Sequence, residues 1–207
     1  MNKNVKKWYL GFFCTALCVF GVSCASNPQV SRVNSSTQTD LSGYWNDTDV
    51  RIVCEALIND CLNSPRMTQA LAKFKGKTPK VIVGNFSNDS DEHIDTSIIA
   101  MNMESTIFNS GKLDFVAGGK ERGELRQERL DQQGNASEAT AKALANETGA
   151  SFMLSGAVKT IVDQAGNRMT RTYFVNAQMT DLETNERVWL SQNSDIKKII
   201  VRPKNKF

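Results

Sequence analysis

The sequence predicts an α/β fold: a single domain with a mixed sheet and packed helices. Three observations carry this. Between Pro79 and Ala117 a short β-branched run, a helical apolar pattern and a second short strand follow one another, the order of a parallel pair joined by a right-handed crossover. From Phe152 to Gln192 three strand-like runs are separated by turn residues, which fits an antiparallel meander. Ahead of both lies an amphipathic helix. The chain has 207 residues, 40% hydrophobic and 23% charged, enough for one domain with a real core. Its formal charge of +3 is too small to point to nucleic acid.

The N-terminus stands apart from this domain. Residues 1–23 carry Lys3, Lys6 and Lys7, no acidic residue, and a nearly unbroken apolar run from Trp8 to Val22. That run is shorter than the roughly 20 residues a membrane-crossing helix needs, so the segment reads as an export signal. Removing it takes three lysines and no acid from 25 basic and 22 acidic residues, leaving a formally neutral remainder. Phe20-Gly21-Val22-Ser23-Cys24 resembles a bacterial lipobox, with Gly21 where Leu is usual. Cys24 is therefore expected to carry the lipid, several acyl chains at about 0.8 kcal/mol per buried methylene being enough for stable anchoring. An ordinary cleaved signal and an uncleaved anchor are the alternatives. Cys14 and Cys18 fall inside the apolar run as packing residues. Residues 24–40 then form a tether of Ser, Asn, Thr and Gln with one proline, too polar to order itself.

The globular domain is expected over residues 41–207. Val50, Val53, Cys54, Leu57, Ile58 and Cys61 share one helical face, entered through Asn46-Asp47-Thr48-Asp49, with Pro65 shortly after the end. Cys54 and Cys61 would lie about 10 Å apart along that helix, beyond disulfide reach, and read as buried thiols. Pro79 to Gly84 reads as a buried strand, Ile94, Ile98, Met101 and Phe108 mark a second helix ending at Ser110-Gly111, and Lys112 to Ala117 a strand. Asn135-Ala-Ser-Glu138 resembles a capping box opening a helix through Glu147. Strands follow over Phe152 to Val162, Thr170 to Asp181 and Arg187 to Gln192. In the middle one Tyr173, Val175, Ala177 and Met179 alternate with polar residues, burying one face.

Catalytic groups are sparse. His93, the only histidine, sits in the acidic stretch Asp89 to Asp95 and reads as a hydrogen-bonding structural residue rather than a general base. Asp89, Asp91 and Asp95 lack the glycine and distal glutamate of a calcium loop. No phosphate-binding loop and no G-x-S-x-G nucleophile elbow occurs. No enzyme activity, cofactor or metal is expected, and no nucleic acid or small-molecule substrate. The stretch Lys120 to Asp131 says more: as a helix it stacks Glu121, Glu124 and Glu128 on one line and Arg122, Arg126 and Arg129 on another. Like charges so placed weaken an isolated helix by a few tenths of a kcal/mol per pair. The segment is either solvated and ion-paired to its own domain, or a partner-docking surface in which Arg122, Arg126, Arg129, Glu124 and Glu128 are the candidates.

Leu41-Ser-Gly-Tyr-Trp-Asn-Asp-Thr-Asp49, Val81 to Gly84 with Glu92-His-Ile-Asp95, Asn109-Ser-Gly111, Glu128 to Gln133 and Glu147-Thr-Gly-Ala150 together resemble the penicillin-binding protein activator LpoB family. The resemblance runs in order from Leu41 to Ile199. It implies a domain similar to the TolB N-terminal domain, on a lipoprotein that binds a class A penicillin-binding protein and stimulates peptidoglycan synthesis without being an enzyme. The short tether departs from the long proline-rich tethers of relatives. Ala25 follows Cys24 where an Asp would signal inner-membrane retention, which favours the periplasmic face of the outer membrane, the inner membrane being the alternative. A secretion-channel subunit similar to CsgG and a cell-wall hydrolase are the competing readings. A channel would need additional membrane-spanning strands.

Overall fold

The computed structural model describes residues 29–133 and 149–203. The chain divides into two compact units, Met1–Thr37 and Gln38–Phe207. The described part of the first holds one turn, in which the Asn34 side chain and carbonyl accept from the Ser36 and Thr37 backbone N–H groups, each at 2.9 Å. All described helices and strands belong to the second.

Helix α1 runs Asp47–Asn63 and begins where its capping residues predict. Asn46 Oδ1 accepts the Asp49 N–H at 3.2 Å while the Asp49 carboxylate accepts the Asn46 N–H at 2.9 Å, a reciprocal capping box. Val53, Cys54, Leu57, Ile58 and Cys61 are buried, as their spacing requires. At the other end Lys112 Nζ donates to the Leu62 carbonyl at 2.6 Å, placing a cation at the negative end of the helix dipole.

Pro65 opens a second helix rather than merely following the first. Helix α2, Pro65–Ala72, has proline in its first turn and Ser64 Oγ accepting the Met67 N–H at 3.4 Å. A helix start leaves its first N–H groups unused, so proline's missing donor is no loss there.

Strand β1, Lys80–Asp89, outruns the apolar stretch to Gly84 because an irregularity between Val83 and Phe86 lets its pairing resume. Helix α3, Ser97–Asn109, buries Ile99, Met103 and Ile107. Ile98, Met101 and Phe108, expected on its buried face, are 48, 66 and 51% exposed, while Ile94 is buried in the preceding loop. The run Ile98-Ile99-Ala100-Met101-Asn102-Met103 is apolar on two neighbouring faces, so its period leaves the rotation of the helix undetermined. Strand β2 shrinks to Asp114–Phe115, since only Lys80↔Asp114 and Val81↔Phe115 pair. Helix α4, Gly119–Gln133, contains the charged stretch. The helix expected from Asn135 to Glu147 lies outside the described residues.

Four strands complete the sheet: β3 Phe152–Ala165, β4 Arg168–Asp181, β5 Arg187–Asn193 and β6 Lys197–Val201. The β3–β4 turn is Gly166-Asn167, with Gly166 at φ +60 and Asn167 outside the left-handed region, the arrangement of a two-residue hairpin that matches strand twist. Five residues long, β6 has no turn signal or clear alternation to announce it. The order is β2-β1-β3-β4-β5, with β6 beside β5 on the same flank of β4. β1 runs parallel to β2 and β3, and the other pairs are antiparallel, so the sheet is mixed as expected. Arg171, Tyr173, Val175, Ala177 and Met179 of β4 are buried in alternation with half-buried neighbours. With the apolar residues of α1, α2 and α3 their hydrophobic members form one core.

Candidate functional site

Segments far apart in sequence meet where β1 gives way to the loop before α3. Arg171, first of the buried β4 residues, sends Nη2 to Asp91 Oδ2 and Nη1 to Glu92 Oε1, each at 2.7 Å. The approach to Glu92 is an ion pair without hydrogen-bond alignment, and Nε has no acceptor. The side chains of Arg171 and Glu92 are only 6 and 7% exposed, against 45% for Asp91. The hydroxyl of Tyr173 donates to Glu92 Oε1 at 2.7 Å, the Trp45 N–H to Oε2 at 3.0 Å, and the Trp45 and Tyr173 rings lie 5.1 Å apart. The Tyr44 ring covers the guanidinium at 5.3 Å. Burial, reinforced by Glu92, pushes the Tyr173 hydroxyl up, which keeps it a donor.

A second cation continues the network. Lys198 of β6, register partner of Arg171, donates to Asp49 Oδ2 at 2.6 Å, the Tyr44 carbonyl at 2.7 Å and Asp40 Oδ1 at 3.1 Å, engaging all three of its protons. Burial pushes the Asp49 carboxyl up, against the pull of Lys198 and the Asn46 N–H on its charged form. Asn46 Nδ2 adds bonds to the Thr39 carbonyl and Asp40, and the Thr39 N–H donates to Thr48 Oγ1 at 3.3 Å. The start of the second unit is thus fixed to β4, β6 and α1 by charge and hydrogen bonds. These groups can hold a shape. They include no nucleophile with an adjacent base.

Asp91 gives this network a measurable pH signature. Its carboxyl is held below the ordinary carboxylate range first by the Thr160 hydroxyl, at 2.6 Å, and then by Arg171. A carboxyl whose pKa is lower folded than unfolded contributes stability above the ordinary value and loses it as pH falls through the folded value. Thr160→Val is expected to move the Asp91 titration upward and acid unfolding to higher pH. Carbon-detected NMR titration with circular dichroism checks this, and an unchanged Asp91 curve refutes it.

The other residues singled out from sequence lie elsewhere. His93 is exposed in the loop before α3. Asp95 accepts the Ser97 hydroxyl and N–H, and no cluster of three metal-ligating side chains occurs among the described residues. Cys54 and Cys61 are free buried thiols, pushed up by burial to about 11 and about 12, and so unreactive as nucleophiles. Cys24 lies outside the described residues. On α4, Arg122 is half-buried with Nε donating to the Ala117 carbonyl at 3.3 Å, while Glu124, Arg126 and Glu128 are exposed. Arg129 is on the same helix, its side chain outside those described. Sequence reasoning missed Arg171 and Lys198. A lone arginine at core parity with Tyr173, Val175 and Ala177 was the available signal.

The family model described as Peptidoglycan-synthase activator LpoB matches residues 49–195, well over half of the chain. No curated protein matches in sequence. Among solved structures, the LpoB C-terminal domain from Salmonella enterica is similar at 15% identity and a TM-score of 0.41, covering 70% of this chain and 97% of that one. The corresponding Escherichia coli domain matches at 14% identity and 0.41, over 70 and 96%. Lipoprotein GNA1162 from Neisseria meningitidis matches at 16% identity and 0.33, over 58 and 83%. With structural likeness this low, the family match carries the assignment.

Proposed function

The chain belongs to the peptidoglycan-synthase activator LpoB family, and on that premise we propose that it is a lipid-anchored activator of a class A penicillin-binding protein. In this reading residues 1–23 are the export signal and Cys24 carries acyl chains in the periplasmic face of the outer membrane. Residues beyond Cys24 are the tether, and the domain from residue 41 binds the synthase and stimulates glycan polymerisation and cross-linking without changing a bond itself. The match over residues 49–195 is the observation that carries it. One other supports it. Helix α4 contributes nothing to the described hydrophobic core, which suits a docking role for Arg122, Arg126, Arg129, Glu124 and Glu128.

The test is co-purification of the full chain with the class A synthases of its own organism, followed by a glycan-polymerisation assay. One synthase is expected to be retained and accelerated. No retention and no rate change with any of them sinks the proposal. Charge reversal at Arg122, Arg126 and Arg129 is expected to weaken retention about tenfold while moving the thermal midpoint by less than about 4 °C. A matching loss of folding assigns those charges to the domain itself. A mature mass without the acyl increment on Cys24 removes the anchor from the proposal.

A further inference from the structure

A cleft of about 370 Å³ opens between α2 and the start of β5. Its floor is Ala70 and Val188, both buried, and its walls carry Arg66, Lys73 and Arg187 against a single carboxylate, Glu186. No ion pair or side-chain hydrogen bond engages any of the three cations among the described residues. Arg171 and Lys198, in contrast, are each ion-paired to two carboxylates. Lys75 and Lys77 extend the positive charge along the turn that leaves α2, and both are exposed.

The second observation is the strand beneath. β5 ends the order β2-β1-β3-β4-β5, so its outer edge has no partner strand among the described residues. Pairing with β4 slips between Met179↔Trp189 and Thr180↔Arg187, leaving Val188 as the extra residue of a bulge. Val188 therefore turns into the cleft floor, and Arg187 stands at its rim on an unpaired edge. Unpaired edges recruit extended chains through main-chain hydrogen bonds, and flanking pockets choose among their side chains.

We propose that this cleft and the β5 edge bind an extended acidic segment of a protein partner, its carboxylates meeting Arg66, Lys73 and Arg187. A concave cleft continuous with a strand edge fits a peptide. A flat anionic membrane would engage the lysines of the turn without entering the cleft. The surface is separate from the charges of α4 and stands or falls apart from the identity of the synthase.

The experiment uses the full chain and two fluorescent octapeptides, one alternating Asp with Val and one alternating Lys with Val, titrated at low and moderate salt. The acidic peptide is expected to bind with an affinity that falls with salt, and to shift the amide resonances of Arg187, Val188 and Gln69 in the unaltered protein. Joint reversal of Arg66, Lys73 and Arg187 to Glu is expected to weaken it about tenfold or more, while Arg126→Glu leaves it unchanged. Equal binding of both peptides, resonance shifts confined to other surfaces, or undiminished binding by the folded triple variant overturns the proposal. So does binding to phosphatidylglycerol vesicles with no binding of the acidic peptide.

Discussion

Arg171→Met is expected to destabilise the domain by about 3–5 kcal/mol. Methionine replaces much of the buried stem, so the loss measures the charge rather than a cavity. Glu92, with its side chain 7% exposed, would keep only the Tyr173 hydroxyl and the Trp45 N–H around a carboxylate built to face a guanidinium. An unpaired buried charge is far more costly than the pair is stabilising, because the desolvation of both ions offsets most of their attraction. Asp91, half in water, adds little to the difference. The double variant Arg171→Met, Glu92→Gln should recover a substantial part of the loss. Denaturant unfolding of the two variants decides the matter. A single variant within about 1 kcal/mol of the parent, with nothing recovered in the double, shows that this pair does not hold the loop.

Phe152→Ala is expected to cost a similar 3–5 kcal/mol, roughly, by a different route. Phe152 begins β3 fully buried, in register with Val81 on one side and Asp181 on the other. Its ring meets the Phe74 ring edge-on at 5.5 Å, where the turn after α2 comes back to the sheet. Alanine there leaves a cavity beneath two strands whose backbones are pinned by their ladders, so little collapse is available to fill it. Phe74→Ala should cost less, since Phe74 is only partly buried, and the double-mutant cycle should show a coupling of about 0.5–1.5 kcal/mol. A loss below about 1 kcal/mol for Phe152→Ala means that the core closes around the gap.

What could be read from the sequence was local. α1 was legible because its cap, its period and its acidic first turn agree, and β4 because Tyr173, Val175, Ala177 and Met179 alternate cleanly. α3 was legible as a helix but not in its rotation, because Ile98 and Ile99 offer the core two adjacent faces. The start of α2 was hidden by a proline that serves equally as a stop and as a first-turn residue. The candidate site was harder for a further reason. The motif resemblance places Glu92 in one stretch and Tyr44-Trp45 in another, but Arg171, which joins them, is 79 residues from Glu92, on the face of an alternating strand that otherwise reads as apolar. Local patterns carry no information about which distant charge answers a buried one. The basic cleft was dispersed in the same way, over α2 and the edge of β5.

The Lys198 clamp also decides how the domain bears a pull. Tension on the chain ahead of Gln38 arrives first at Asp40, which shares the ammonium group with Asp49 and the Tyr44 carbonyl. From there it passes into β6, joined to β4 by five register pairs, and through Asp49 into the first turn of α1. The load is split between a short strand and a helix start before it reaches the apolar core. The C-terminal strand thus serves as strain relief for the N-terminal lead, and a tug there need not loosen the apolar core.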